Sequence, residues 1–263
     1  MQFNKQAGSD TITNMEALGI ATAAFIIAGF IKGVVGFGFP IIALIILTLS
    51  IGLLDALAIV VIPTLITNLW QALSGGHLRT ILGRMWRYFL VAVVFIWITA
   101  DYLKVVDINW LTALLGTVLF FFALSRLFNF SITVQPRYEA VLSVPLGAVN
   151  GILTGLTGSF MVPSVLYMQA IGFRGELLVQ AMGIFFAISV FALAMSLGKN
   201  DLISADHAQL ATLALIPSFV GMLSGRWARR QIDEEQFQQV FLIAVLLLGG
   251  YIVFRSARAL NYM

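Results

Sequence analysis

The sequence contains no cysteine, only two histidines and few charged residues. Charged side chains make up 10% of the 263 residues, whereas soluble domains carry about a quarter. The absence of cysteine excludes a disulfide framework, a thiolate metal site and a cysteine nucleophile. No spacing of histidines or carboxylates is typical of a metal site. The sequence therefore predicts no soluble globular domain, no metal centre and no cofactor.

Hydrophobic residues make up 60% of the chain, and its mean hydropathy is +0.98. These values indicate an integral membrane protein. The pI near 9.4 is no signal for nucleic acid, because the basic residues lie in short loops between apolar runs rather than on one face. Residues 1–14 are polar and lack the apolar centre and cleavage site of a secretory signal, so we expect a polar N-terminal tail.

Ten apolar segments follow the tail, and eight of them are long enough to cross about 30 Å of hydrocarbon. The segments are 15–38, 40–51, 53–74, 88–106, 110–128, 139–158, 160–171, 175–197, 208–225 and 237–254. Segments 40–51 and 160–171 are too short to cross alone. Loop 77–87 between two segments is basic and amphipathic, which favours contact with anionic headgroups.

Each short segment directly follows a glycine-rich stretch. The first stretch, GFIKGVVGFGFP at 29–40, contains Lys32 among four glycines and ends in proline. Glycine and proline disfavour helix interiors, and a lysine is costly in hydrocarbon. The second stretch, GAVNGILTGLTGSFMVP at 147–163, is similar. Both stretches predict membrane helices broken where the backbone lines a cavity or is buried in protein, as in transporter binding sites.

The two stretches also indicate an internal repeat. Gly33 and Gly155 are 122 positions apart, and Pro40 and Pro163 are 123 apart. We therefore predict an all-α polytopic membrane protein with two repeats, 15–130 and 139–256, each of about five helical segments with a short, broken helix at its centre. Small-residue packing between helices is the alternative reading of the glycines.

The orientation of the two repeats remains open at this stage. Five spans per repeat give inverted halves, and four spans with re-entrant short segments give parallel halves. Both arrangements place nine Lys and Arg on one side against five on the other, so the positive-inside rule does not choose. We favour inversion, because it brings the two breaks to the midplane from opposite sides.

Polar residues inside the apolar segments predict a substrate site for a small anion. Thr64, Thr67, Asn68 and Gln71 share one helical face, which must look at protein or a wet cavity. Helix N-termini after each break add partial positive charge. The candidate binding residues are Lys32, Gly33, Gly36, Gly38, Asn68, Asn150, Thr154, Thr157, Gly158, Ser159 and Gln180. Snorkelling of Lys32 and interhelical hydrogen bonding are the structural alternatives.

Other chemistry has little support in the sequence. Asp55 and Glu176 occupy equivalent places in the repeat and are candidates for proton coupling, although capping of their helices explains them as well. A Ser159–His207 pair of an intramembrane protease has no supporting motif. The sequence therefore predicts a transporter and not an enzyme.

The two breaks, each followed by a short helix and an Ile-Gly turn, resemble the sulfite exporter TauE/SafE family over about residues 15–255. The run NGILTGLTGSFMVPSVLYMQAIGFRGELLVQ is the most specific part. The resemblance implies a multi-pass permease of the bacterial inner membrane that exports sulfite or an organosulfonate such as sulfoacetate. It also implies a duplicated architecture.

This chain departs from many family members, which carry a Gly-Gly-Gly run at the break. Here the first break has Gly36-Phe37-Gly38-Phe39 and the second has Gly158-Ser159-Phe160. The departure bears on which substrate is carried. Rival functions are a permease for another small anion or for uptake, and a membrane scaffold or intramembrane enzyme. The expected partners are a small anion and the lipid bilayer, without nucleic acid, and a homodimer is left open.

Overall fold

The computed structural model describes the backbone of residues 3–128, 132–231 and 233–261, and the side chains of residues 19–128, 132–231, 233 and 235–260. Within these ranges every regular element is a helix, which confirms the all-α prediction. The helices are α1 (Phe3–Val35), α2 (Phe39–Ile51), α3 (Leu53–Leu73), α4 (Leu78–Ala100), α5 (Ile108–Leu127), α6 (Pro136–Thr157), α7 (Ser164–Ala170), α8 (Gly175–Lys199), α9 (Ala205–Leu213), α10 (Leu215–Ala228) and α11 (Glu234–Asn261).

Seven helical stretches are long and apolar enough to cross a membrane within the described residues. They comprise α3, α4 with the 3₁₀ turn that follows it, α5, α6, α8, the joined pair α9–α10, and α11. The apolar part of α1, Gly19–Val35, and α2 are shorter. The predicted short segments 40–51 and 160–171 correspond to the short helices α2 and α7, and the chain is a membrane protein.

The helix bounds differ from the predicted segments in four places. The prediction of a loop at 77–87 is wrong, because α4 already begins at Leu78. Its buried residues Ile81 and Met85 are four positions apart and continue the inner face of α4, while the arginines lie on the outer face. The second short helix begins at Ser164 rather than near 160. Segment 208–225 is split between α9 and α10, and α1 extends back to Phe3 through the predicted tail.

Glycines set the closest helix contacts. A Cβ on Gly29 or Gly33 would meet the α10 backbone at 2.3 or 2.4 Å, and one on Gly221 or Gly225 would meet α1. Rising residue numbers in α1 meet rising numbers in α10, so the two helices run parallel. Gly147, Gly151 and Gly155 of α6 approach α4 in the same way, also in parallel. The small-residue packing considered for these glycines is therefore present at both pairs.

Two other pairs run antiparallel. The C-terminal end of α3 contacts the beginning of α8, where the Gln71 side chain donates to the Val179 carbonyl at 2.7 Å. Helix α5 meets α11 where Gly116 and Gly249 face each other, and rising numbers in α5 meet falling numbers in α11. The equivalent helices of the two predicted repeats, α3 with α8 and α5 with α11, thus lie in opposite directions.

Contacts at the helix ends divide the molecule into two faces. On the Arg84 face, Arg84 Nη2 donates to the Ile171 carbonyl at 2.7 Å and pairs with Glu139 at 2.6 Å. On the Asp101 face, at the other end of the bundle, Lys199 pairs with Asp101 at 3.1 Å. Inverted halves place the end of α3 and the beginning of α8 on the same face. Parallel halves would place them on opposite faces. The repeat itself stays a prediction that these helix directions support.

Candidate functional site

Lys32 forms the centre of a buried polar cluster between α1 and α3. Its side chain is 5% exposed, and its ammonium donates to Asn68 Oδ1 at 2.6 Å and to Thr67 Oγ1 at 3.2 Å. We call these three residues the Lys32 cluster. Lys32 therefore does not snorkel to the membrane surface. Among the residues whose side chains are described, it is the one buried residue with a formal charge.

The Lys32 cluster has more hydrogen-bond donors than acceptors. An ammonium carries three protons, and the described contacts of Lys32 use two of them. Asn68 Nδ2 and Thr64 Oγ1, one turn apart on α3, are buried and have no protein partner. No carboxylate of the described chain pairs with Lys32. An oxyanion, which only accepts hydrogen bonds, is the chemical complement of such a group.

The remaining polar residues of the α3 face connect α3 to α8. Gln71 bonds to α8, and Gln180 of α8 donates to the carbonyls of Ala72 at 3.0 Å and Gly75 at 3.2 Å. The Gln180 side-chain oxygen accepts from the His77 amide at 2.8 Å. Gln180 thus makes its hydrogen bonds at the end of α3 and is not hydrogen-bonded to the Lys32 cluster. The predicted polar stripe is buried throughout, as its apolar surroundings require.

The first break lies four residues after Lys32. The Gly36 amide donates to the Lys32 carbonyl and ends α1, and Gly36 and Gly38 have φ of 86° and 95°, which side chains with Cβ rarely adopt. Gly38 precedes α2, and a Cβ on it would lie 3.0 Å from the Phe241 ring, so α11 packs against this helix start. Gly33 lies against the backbone of α10, and this contact explains the glycine without a ligand.

At the second break, polar side chains of α6 bond the freed backbone. Asn150 Nδ2 donates to the carbonyls of Phe160 at 3.1 Å and Val162 at 2.8 Å. The Thr154 hydroxyl donates to the Ser159 carbonyl at 3.2 Å. All three carbonyls are thereby satisfied inside the protein, as broken backbone in a membrane requires. Asn150 and Thr154 hold the break in place, which is a positioning task.

One buried polar side chain at the tip of the second break has no hydrogen-bond partner in the protein. Gly158 ends α6 with a φ of 71°, and the Ser159 amide donates to Thr157 Oγ1 at 3.2 Å. The Thr157 hydroxyl in turn donates to the Leu153 carbonyl at 2.6 Å. Ser159 Oγ is buried and has no protein partner. Of the candidates in this break, Ser159 therefore has the side chain that is free to meet a ligand.

The two breaks meet in the middle of the bundle. Pro40, at the start of α2, lines the same crevice as Gly158 and Ser159. Thr64 shares a void of about 10 Å³ with Gly158 and Phe160, which holds at most one water. The structure is therefore closed between Thr64 and the second break, without room for an anion, and Lys32, Asn68 and Gln180 do not line this void.

The candidates for proton coupling lie elsewhere. Asp55 is thirteen residues before Asn68 on α3, about 20 Å along the helix, and it pairs with His207 Nε2 at 3.3 Å. Glu176 is exposed in the first turn of α8. His207 Nδ1 accepts from the Ser204 amide in a capping box. Both ring nitrogens are thus occupied, and the structure does not bring His207 to Ser159.

Thr67 belongs to the Lys32 cluster but not to the predicted binding residues, although it is part of the predicted polar stripe. Thr67 precedes Asn68 directly, so that both can reach a lysine on the neighbouring helix. The signal was the adjacency of two polar residues on a buried helix.

No curated protein and no solved structure matches the chain. The profile of the family described as Sulfite exporter TauE/SafE matches residues 21–252, a stretch that includes the Lys32 cluster and both breaks. The chain therefore belongs to the TauE/SafE sulfite exporter family, a family of membrane transporters.

Proposed function

We propose that this chain exports a small sulfur oxyanion, sulfite or an organosulfonate such as sulfoacetate, across the bacterial inner membrane. The observation that carries the proposal is the Lys32 cluster: a buried lysine, held by Asn68 and Thr67, without a carboxylate partner in the described chain. Ionisable groups inside membrane bundles are costly and mark substrate and ion pathways. Family membership supports the sulfur oxyanion as cargo.

The closed packing around the breaks supports a mechanism in which the site opens by movement of helices. Thr64 on α3 lies beside Gly158 and Phe160, so that an anion can reach both breaks only when α3 and the 158–161 stretch separate. The reciprocal contacts of Gln71 and Gln180 join α3 and α8 at the Arg84 face. Rocking of one half against the other would open the centre first to one side and then to the other.

The driving force for export needs no proton relay. With the cell interior negative, each charge on an outgoing anion gains about 2.3 kcal/mol per 100 mV. Asp55 lies about 20 Å along α3 from Asn68, and Glu176 is exposed, which is in keeping with an electrogenic exporter. Proton-coupled uptake would instead favour a carboxylate close to the site.

Ligand binding to purified protein tests the proposal. The chain in detergent is titrated with sulfite, sulfoacetate, thiosulfate, sulfate and chloride, and the melting temperature is measured. A ligand that binds the folded state stabilises it by mass action, by about 2.7 kcal/mol at 100 times Kd. We expect sulfite or sulfoacetate to raise the melting temperature, and Lys32→Met to abolish the shift.

Lys199→Met is the matched control, because Lys199 is an exposed lysine at the end of α8 whose ion pair lies outside the site. It should keep the ligand-induced shift. A shift with chloride, sulfate or thiosulfate and none with sulfite or sulfoacetate would assign another substrate. A sulfite shift of the same size in Lys32→Met would separate the substrate from the Lys32 cluster and reject the proposed site.

A further inference from the structure

A large cavity opens on the Arg84 face between α5, α6 and α7. Its volume is about 650 Å³, within the range of small-molecule sites and far larger than a sulfite ion needs. Two arginines, Arg126 and Arg174, line its polar end, and Leu142, Leu146 and Leu166 line its apolar end. None of its lining residues belongs to the Lys32 cluster.

The two arginines converge on Gln169. Arg126 Nη1 donates to Gln169 Oε1 at 2.6 Å, and Arg174 Nη1 donates to the Gln169 carbonyl at 2.6 Å. Both guanidinium groups contact Gln169, which places two like charges beside the same residue. In the part of the chain that the structure describes, neither pairs with a carboxylate, and the buried Arg126 Nε has no partner. The polar end is therefore a cationic pocket with unused donors.

The cavity runs from the membrane surface into the hydrocarbon. Arg126 is in the last turn of α5, whose membrane span ends at Leu127, so the cationic end lies at headgroup level. Leu142 and Leu146 lie six and ten residues into α6, about 9 and 15 Å from its start. A cation at headgroup depth above an apolar cleft fits a molecule with an anionic head and a long apolar body.

We propose that this cavity is a binding site for an anionic phospholipid of the surrounding bilayer. The phosphate accepts hydrogen bonds from Arg126 and Arg174, and an acyl chain lies along Leu142, Leu146 and Leu166. Basic pockets between membrane helices bind such headgroups. Because Leu166 belongs to α7, the lipid braces the short helix that follows the second break.

The test is a lipid titration of the full chain in uncharged detergent. Mixed micelles of phosphatidylglycerol or phosphatidylcholine with the same acyl chains are added, and the melting temperature is followed. We expect a saturable rise with phosphatidylglycerol and none with phosphatidylcholine. Arg174→Gln should weaken the apparent affinity roughly fivefold, since each basic residue near an anionic surface contributes about a factor of that size. Arg126→Gln should act in the same direction.

Arg137→Gln is the matched control, because Arg137 is an exposed arginine in the first turn of α6, on the same face but outside the cavity. It should bind phosphatidylglycerol as the unmodified chain does. Each shift is measured from the variant's own lipid-free melting temperature, so that a less stable variant still reports binding.

Three outcomes would overturn the assignment. Equal stabilisation by phosphatidylcholine would remove the role of the anionic head, and equal weakening in Arg137→Gln would show a diffuse surface effect. A third arm contains inorganic phosphate or sulfoacetate without lipid. An Arg174-dependent rise with these soluble anions, and none with phosphatidylglycerol, would make the cavity a site for soluble oxyanions.

Discussion

At the scale of single residues, the burial of Lys32 is best considered together with the unpaired hydrogen-bonding groups around it. A lysine in hydrocarbon is costly, and two neutral acceptors compensate it only in part. Asn68 Nδ2 and Thr64 Oγ1 add further unsatisfied groups within one turn of α3. Natural proteins keep few such groups in their interiors, and those that persist require a reason. Binding of an anion, as we propose, would supply that reason for all of these groups together.

Gly158 is a residue whose backbone and surroundings both demand glycine. Its φ is 71°, and a Cβ there would lie 2.2 Å from Leu57 Cδ2 in the core. We expect Gly158→Ala to lower the free energy of unfolding by about 2–5 kcal/mol, the sum of left-handed strain and overpacking. Chemical denaturation of the purified protein measures the change.

Gly172 provides the control for Gly158. Its φ is 89°, but a Cβ would meet nothing within 4 Å. Gly172→Ala should therefore cost only the strain, about 1–2 kcal/mol. Equal losses for the two variants would mean that the contact with Leu57 contributes nothing and that the second break is looser than the structure indicates.

At the scale of helices, the two short elements are held at their C-terminal ends by arginines. Arg126 of α5 donates to Gln169 of α7, and Arg255 of α11 donates to the Leu49 carbonyl of α2 at 3.2 Å. A cation near the C-terminal end of a helix is favourable; Arg255 reaches a backbone carbonyl there, whereas Arg126 bonds to the Gln169 side-chain oxygen. Because α5 and α11 are equivalent in the predicted repeat, as are α2 and α7, these contacts support the repeat.

The close packing of α1 against α10 leads to a second stability prediction. A Cβ on Gly33 would lie 2.4 Å from the Met222 carbonyl oxygen and 2.9 Å from Gly225 Cα, both of which are backbone atoms. Gly33→Ala should therefore push the helices apart and cost about 1–3 kcal/mol. The loss is measured as a lower midpoint of denaturation.

Gly19 is the matched glycine in the same helix, and a Cβ there meets nothing within 4 Å. Gly19→Ala should be neutral or stabilise by up to about 1 kcal/mol, because alanine is the better helix former. If Gly33→Ala were as harmless as Gly19→Ala and yet abolished ligand binding, Gly33 would act at the site rather than in packing.

At the scale of the whole molecule, composition and the two breaks were enough to predict the all-helical membrane architecture. The short helices could be predicted because glycine and proline interrupt the apolar runs on both sides of them. The start of α4 could not be predicted. Arginines on the outer face of a helix resemble a polar loop in the sequence when the helix that packs on the inner face is unknown. Lys32 and Asn68 are 36 positions apart and lie on different helices, so periodicity along one helix does not reveal their pairing.

The inverted arrangement makes a prediction that cysteine labelling tests cleanly, because the chain has no cysteine of its own. Gly76→Cys and Glu176→Cys should react with an impermeant maleimide from one side of the membrane. Val105→Cys and Asp206→Cys should react from the other side. This follows from the two faces, since Gln180 bonds to Gly75 and Lys199 bonds to Asp101. Parallel halves would instead put residues 76 and 176 on opposite sides.

The most direct test of the central claim is anion efflux from vesicles that contain the purified protein. Vesicles loaded with sulfite or sulfoacetate are given an inside-negative potential, and the released anion is measured over time. We expect efflux that rises with the potential, falls at least tenfold in Lys32→Met and is kept in Lys199→Met. Efflux at the unmodified rate in Lys32→Met, or no potential-driven efflux of either anion, would contradict an electrogenic exporter built around Lys32.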